Sequence, residues 1–135
     1  MKNTVKLSIF TLILFLQFSC SESKLDGDWD DNIGLSQKEI ELSSENSSAL
    51  VTTSGDSWWI SCIVFNGNVI DFGDVNTLQD NFVIENADFK IERKNATEIY
   101  VEMPENNTDS VSVLNIYLEA GDYFTGIIVR RLPDL

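Results

Sequence analysis

From Ile33 onward, the apolar residues of this chain recur at every second position in short runs. The clearest run is Thr97–Met103, where Ile99, Val101 and Met103 alternate with charged or polar side chains. Successive side chains of a β-strand point to opposite faces, so this alternation is typical of strands that bury one face. No stretch after Ile33 has the spacing of an amphipathic helix. The pattern therefore predicts an all-β fold.

Turn signals separate the apolar runs at intervals of about 8–12 residues, which is the spacing of sandwich strands. Asn66-Gly67 stands between two such runs, and both residue types tolerate the positive φ angles of a type I′ hairpin turn. Residues 73–81 are mostly polar and predict a loop. We therefore expect an immunoglobulin-like β-sandwich of seven to nine antiparallel strands. The apolar runs that supply these strands lie at residues 33–35, 40–42, 49–53, 58–65, 68–72, 82–84, 89–91, 97–103, 111–118 and 123–129. The runs at 82–84 and 89–91 are either a pair of strands or one bulged strand.

Residues 1–19 have the features of a lipoprotein signal peptide. A basic start precedes the apolar run Leu7–Phe18, which is shorter than the roughly 20 residues that a membrane-spanning helix needs. Ser19-Cys20 then resembles the lipobox of bacterial lipoprotein precursors, although Gln17 stands where that motif has an aliphatic residue. The resemblance implies cleavage before Cys20, a lipid on its sulfur, and attachment to the outer membrane, at the cell surface or facing the periplasm. The alternative is an ordinary signal peptide cut near the same point.

Residues 20–31 are polar and acidic, with few apolar side chains, which predicts a flexible tether. The part from Asp26 to Asp31 begins like a calcium-binding loop, with oxygen ligands at alternate positions. The loop motif then fails, because Asp31 replaces the required glycine and Gln37 replaces the required glutamate. We therefore predict no metal site. The segment resembles the acidic export tag of surface lipoproteins in Bacteroidetes, and a plain tether to a domain at 32–135 is an equal alternative.

The chain is strongly acidic, with 22 acidic residues, nine basic residues and a net charge of −13. Loss of the leader would remove Lys2 and Lys6 but no acidic residue, which leaves seven basic residues against 22 acidic ones. A field of this sign repels nucleic acids and anionic bilayers. It suits a solvated surface protein, or one that handles neutral or cationic ligands. The expected partners are polysaccharide or glycoprotein glycans and other envelope proteins, with the membrane contacted through the lipid on Cys20.

The chain contains no histidine, which removes Ser-His-Asp and Cys-His catalysis and most zinc sites. Cys62 lies within an apolar run, where an inert thiol is the expected state. If Cys20 carries lipid, Cys62 is alone and no intramolecular disulfide forms. We therefore predict a protein without catalytic residues or a cofactor.

Three short pieces of the chain resemble the BACON domain, the Bacteroidetes-associated carbohydrate-binding, often N-terminal family. The first is an opening strand at 33–36 with 40–42. The second is a strand at 51–54 that leads through a Gly/Asp turn to Trp58 and Ile60. The third is a late strand at 99–102, followed by the Asn106-Asn107 turn and a closing hairpin that ends at 127–129. Two places depart from the family pattern: Asp109-Ser110 replaces the usual arginine, and Arg130-Arg131 stands where glutamine is common. The resemblance implies an immunoglobulin-like sandwich and a role as a glycan-binding module, or as a spacer.

The adjacent tryptophans Trp58 and Trp59 must point to opposite faces of a strand. In the family pattern the tryptophan after the turn lies in the core, which implies that Trp58 marks the core. The same phase would turn Cys62 and Val64 inward, and would turn Trp59, Ser61, Ile63 and Phe65 outward.

The candidate ligand-binding residues are exposed aromatics. Sugar-binding sandwiches stack pyranose rings on such side chains because the C–H face of a sugar fits a π-face and buries apolar area. Trp59, Tyr100 and Tyr123 are the candidates, since each alternates with predicted core residues. The alternative for Trp59 is that the 66–81 segment covers it and forms a second small core. In that case the protein is a structural spacer or an accessory subunit of a surface complex, with no ligand of its own.

Overall fold

The structure is a computed structural model that describes residues 29–45 and 47–134. The described part is all-β, with nine strands in two sheets. The strands are β1 (Glu39–Leu42), β2 (Ser47–Thr52), β3 (Trp59–Phe65), β4 (Asn68–Val69), β5 (Phe82–Glu85), β6 (Lys90–Lys94), β7 (Glu98–Met103), β8 (Ser112–Ala120) and β9 (Tyr123–Arg131). The predicted all-β sandwich is confirmed.

One sheet has five strands in the order β1-β9-β8-β3-β4, and the other has four in the order β2-β7-β6-β5. Every pairing is antiparallel except that of β1 with β9, which is parallel. The chain therefore crosses between the sheets four times, after β1, β2, β4 and β7. Apolar side chains from the facing sides of both sheets fill the space between them and form one core.

The β3–β4 hairpin turns at Asn66-Gly67, as the sequence predicts. Asn66 has a φ of 47° and Gly67 a φ of 82°, which is the positive pair that a type I′ turn requires. The returning strand is shorter than the predicted run at 68–72, since β4 contains only Asn68 and Val69. After β4 the chain leaves the sheet and crosses toward β5 through residues 70–81.

A β-bulge in β3 reverses the predicted phase of the strand. Ile60 pairs with Leu118 and Cys62 pairs with Tyr117, so Ser61 is an extra residue that has no partner in the ladder. The predicted orientation is therefore correct as far as Ser61 and wrong after it. Ile63 is fully buried, whereas Cys62 is only partly buried.

The same reversal applies at the end of β3. Phe65 packs against the core, with its ring centroid 5.9 Å from that of the buried Phe89. Val64 pairs with Val69 on the outer side. A one-residue insertion shifts every later side chain to the opposite face because the side-chain period of a strand is two.

Trp58 lies in the core with 2% of its surface exposed, on the inward side that the sequence analysis expects. Its indole nitrogen donates hydrogen bonds to the Thr53 hydroxyl and to the Gly55 carbonyl, each at 3.1 Å. The guanidinium of Arg93 lies over the ring, with Cζ 3.7 Å from the ring centroid. Burial lowers the pKa of Arg93, and the carboxylates of Asp80 and Asp56 act in the opposite direction.

Arg93 is buried without a carboxylate within ion-pair distance in the described part, and backbone carbonyls take its N–H groups instead. Among the acceptors are the carbonyl oxygens of Trp58 at 2.8 Å and of Ala96 at 2.8 and 3.0 Å. Further bonds reach the carbonyls of Thr77 and Gln79, at 3.4 and 3.2 Å. One side chain thus joins the start of β3, the 70–81 segment and the β6–β7 turn.

The 70–81 segment closes the side of the sandwich next to β3. Ile70, Phe72 and Val75 pack against the same core as the strands, so the segment does not build a separate core with Trp59. The Thr77 hydroxyl donates to the carbonyl of Ile60 at 3.0 Å. This bond occupies an edge acceptor of β3 that would otherwise be open to another strand.

Within the described ranges, no helix is long and apolar enough to cross a membrane.

Candidate functional site

The solvent side of the five-stranded sheet, here called the outer face, is built on the β8–β9 hairpin. Gly121-Asp122 connects the two strands, with Gly121 at a φ of 61°. This short turn places Tyr117 directly opposite Gly126 and Glu119 directly opposite Phe124. Side chains that face each other in an antiparallel ladder project on the same side, so all of these positions belong to the outer face.

Tyr117, Phe124 and Ile128 surround a depression whose floor is Gly126. A Cβ atom on Gly126 would lie 3.0 Å from the carbonyl oxygen of Ile116 and 3.7 Å from Cδ1 of Tyr117. The depression has a volume of about 380 Å³, and residues 115–117 and 124–128 line it. We call it the aromatic groove. Its depth exists because the glycine leaves the space between the two aromatic rings unfilled.

The two aromatic walls of the groove are exposed. Phe124 has 65% of its surface accessible and Tyr117 has 46%. Asn115 adds an amide to one end, where it pairs with Ile128 in the ladder. Beyond it, Arg130 forms an ion pair with Glu39 at 3.1 Å. The groove can therefore stack a flat apolar face and offers few side-chain hydrogen bonds.

Trp59 also lies on the outer face, in the next row of the sheet. It pairs with Glu119 across β3 and β8, and Glu119 pairs with Phe124 across β8 and β9. Trp59, Glu119 and Phe124 thus form one line across three strands, here called the aromatic row. Adjacent strands are about 4.8 Å apart, so the two aromatic side chains start roughly 10 Å from each other. The predicted outward direction of Trp59 agrees with its partial exposure.

The other two predicted binding residues do not share this surface. Tyr100 is 40% exposed on the solvent side of the four-stranded sheet, with the Lys94 ammonium 5.2 Å from its ring centroid. Tyr123 packs against the core at the start of β9. Its hydroxyl also helps to lower the pKa of the Asp31 carboxyl. The three candidates Trp59, Tyr100 and Tyr123 therefore cannot act together on one ligand.

Tyr117, Phe124 and Gly126 are the residues that the sequence analysis missed. The signal was present in the Gly121-Asp122 turn, because a two-residue turn fixes the register of the hairpin. That register would have placed Tyr117 across from Gly126 and next to Phe124. The presence of a groove also depends on the missing side chain at Gly126, which the alternation of apolar residues does not reveal.

The predicted lipidation site and the acidic segment lie wholly or partly outside the residues that the structure describes. Cys20 and residues 26–28 of the Asp26–Asp31 segment lie outside the described residues. Within that segment Asp31 is described, and its carboxylate accepts hydrogen bonds from the backbone N–H groups of Gly34 at 2.8 Å and Ile33 at 3.2 Å. The hydrogen bond from Gly34 is the main cause of a lowered pKa at Asp31. In the described part, no group of three acidic, cysteine or histidine side chains is placed to hold a metal ion.

Comparison with known proteins adds information on the fold. No family model matches the chain, and no curated protein does. One similar solved structure is an NMR structure of a protein from Bacteroides thetaiotaomicron, with a TM-score of 0.63 and 20% sequence identity. The alignment covers 86% of this chain and 98% of that one. At this identity the similarity establishes a shared fold.

Proposed function

We propose that this protein is a non-catalytic binding module of the cell envelope, anchored through a lipid on Cys20, that binds neutral glycans in the aromatic groove. The observation that carries the proposal is the pair of exposed aromatic rings, Tyr117 and Phe124, on either side of Gly126. The C–H face of a pyranose ring stacks favourably on such rings, and the glycine leaves room for it. The resemblance of several strands to BACON domains supports the same assignment.

Binding at this groove is expected to be weak. Aromatic faces contribute about 1 kcal/mol beyond the area that they bury. Asn115 and Glu119 are the nearby side chains that can hydrogen-bond sugar hydroxyls. A site of this kind has a Kd near the millimolar end of the affinity scale. Many anchored copies on one cell would raise the effective affinity through multivalency.

Affinity electrophoresis against a panel of host and plant polysaccharides tests the proposal. The wild-type chain should be retarded by at least one neutral glycan, and Tyr117→Ala and Phe124→Ala should each abolish the retardation. Tyr100→Ala is the matched control, because it removes an exposed aromatic side chain from the opposite sheet. A site at the groove would be contradicted if the control lost its retardation, or if the two groove variants were retarded as strongly as wild type.

An accessory subunit of a surface complex is the second candidate. The separation of Trp59, Tyr100 and Tyr123 onto different parts of the sandwich favours it, since a glycan platform usually combines several aromatics. The few polar side chains in the groove also suit a protein partner. If no glycan in the panel retards the wild-type chain, the accessory role becomes the better assignment.

A further inference from the structure

Glu119 occupies the centre of the aromatic row, with an aromatic side chain on each neighbouring strand. Trp59 pairs with it on one side and Phe124 on the other. Tyr117 lies two residues away on the same face of β8. Glu119 is itself partly buried, and within the described ranges its carboxylate forms no hydrogen bond or ion pair. A carboxylate in this position is therefore left without a counter-charge from the described chain.

The chemistry of this arrangement selects for a cation. The faces of aromatic rings carry partial negative charge and attract ammonium or guanidinium groups, most strongly in tryptophan. The carboxylate adds a full negative charge between two such rings. The net charge of −13 gives the whole molecule the same preference. A neutral ligand can hydrogen-bond the Glu119 carboxylate but leaves its charge uncompensated, which makes an organic cation the better match.

The surroundings of Glu119 also define the rest of the ligand. The aromatic groove begins beside it, because Phe124 ends the aromatic row and, together with Tyr117, also forms the walls of the groove. A ligand that fills both places has a charged group attached to an apolar body. Lysine and arginine side chains combine a cationic head with an aliphatic stem, and a peptide can place an apolar side chain next to them.

We propose that Glu119, together with Trp59 and Phe124, binds a lysine or arginine side chain of a partner protein that docks on the outer face. An adjacent apolar side chain of the partner occupies the aromatic groove. This assignment follows from charge complementarity and does not depend on the binding of neutral glycans. It gives the outer face a specificity that stacking alone cannot supply, because only a cationic group compensates the charge of Glu119.

Fluorescence anisotropy of a labelled, capped peptide with alternating lysine and leucine residues provides the test. The full chain, purified in detergent, should bind this peptide, and Glu119→Gln should weaken binding about tenfold while leaving the far-UV circular dichroism spectrum unchanged. Glu102→Gln is the matched control, since it removes the same charge from the solvent side of the four-stranded sheet. The control should bind as wild type does. A second variant, Phe124→Ala, should also weaken binding at least several-fold.

Two probe changes separate the ligand classes. Replacing the lysines by acetyl-lysine, which keeps the length and removes the charge, should abolish most of the binding. Equal binding of the acetylated peptide would overturn the role of the cation. Stronger binding of spermidine or of a glucosamine oligomer than of the peptide, with the same dependence on Glu119, would overturn the protein partner. Absence of peptide binding by the wild-type chain would overturn the proposal as a whole.

The outcome is distinguishable from that of the glycan experiment. Retardation by a neutral polysaccharide should depend on Tyr117 and Phe124 but not on the charge of Glu119. A Glu119→Gln chain that still binds the polysaccharide and no longer binds the lysine peptide would support both proposals. If Glu119→Gln binds the peptide as tightly as wild type does, the cation site is wrong whatever the glycan result.

Discussion

The Arg93 guanidinium lies over the Trp58 ring, with Cζ 3.7 Å from the ring centroid, and also donates a hydrogen bond to the Trp58 carbonyl oxygen at 2.8 Å. The two residues are 35 positions apart in the chain. Their contact joins the start of β3, in the five-stranded sheet, to β6, in the four-stranded sheet. A buried arginine that is satisfied by carbonyls fixes the geometry of several loops at once, because its planar donors require acceptors in defined directions.

Removing Arg93 should destabilise the domain strongly. Arg93→Met keeps much of the volume but leaves the carbonyls of Asp56, Trp58 and Ala96 without this donor. Each buried polar group left unpaired costs about 1–3 kcal/mol, so we expect a loss of at least about 3 kcal/mol in the free energy of unfolding. Urea denaturation measures it. Lys94→Met, at the exposed neighbouring position, should cost less than about 1 kcal/mol. Similar losses of unfolding free energy in both variants would contradict a stabilising role for the buried hydrogen bonds of Arg93.

The two adjacent tryptophans should differ in their contribution to stability. Trp58→Ala removes a buried ring and should cost about 3–5 kcal/mol, the usual range for a large core aromatic. Trp59→Ala removes a partly exposed ring and should cost about 1 kcal/mol or less. Thermal or urea unfolding of the two variants decides the matter. A larger loss for Trp59→Ala would mean that the phase of β3 is inverted at its start.

The bulge at Ser61 predicts an unequal effect of two neighbouring substitutions. Ile63→Ala should cost about 2–5 kcal/mol, because Ile63 is fully buried. Cys62→Ala should cost about 1 kcal/mol or less, because Cys62 lies on the outer side and is only partly buried. The thiol of Cys62 should also react with a thiol reagent in the folded protein. The opposite order of stabilities would restore the simple alternation without a bulge.

Asp31 should make a pH-dependent contribution to stability. Hydrogen bonds from the backbone of Gly34, and to a lesser extent from Tyr123 and Ile33, lower the pKa of its carboxyl. A carboxyl with a lowered folded pKa stabilises the fold above its unfolded pKa of about 3.9, and this stabilisation disappears as the pH falls through the folded value. The difference in unfolding free energy between wild type and Asp31→Ala should therefore be largest near neutral pH and should narrow below about pH 4. A difference that stays constant from pH 7 to pH 2 would show that the charge is not involved.

The proposed lipid attachment at Cys20 can be tested independently of the fold. Cells that express the wild-type chain should incorporate labelled fatty acid into it and retain it in the membrane fraction. Cys20→Ala should remove the label and leave an unprocessed or soluble form, and globomycin should block maturation of the wild type in the same way. Cys62→Ala is the control and should be labelled normally. Normal maturation of the Cys20→Ala chain would contradict the lipoprotein assignment.

The sequence by itself determined the class of fold and much of the local structure. Alternation at Ile99, Val101 and Met103 placed β7 and its buried face correctly, since burial on one side of a strand imposes a period of two. Asn66-Gly67 placed the β3–β4 turn, because few residues other than asparagine and glycine adopt two successive positive φ angles. Both are local properties, and neighbouring residues carry all the information that they require.

Only the tertiary structure decided the phase of β3 after Ser61, the burial of Arg93 and the existence of the outer-face site. The bulge depends on how β3 pairs with β8, and Arg93 is stable inside only because distant carbonyls converge on it. The aromatic groove and the aromatic row combine side chains from different strands, so their geometry depends on the register between strands. Such contacts depend on pairing between segments that are distant in the chain, and the residues of one segment do not show which segment it pairs with or in which register.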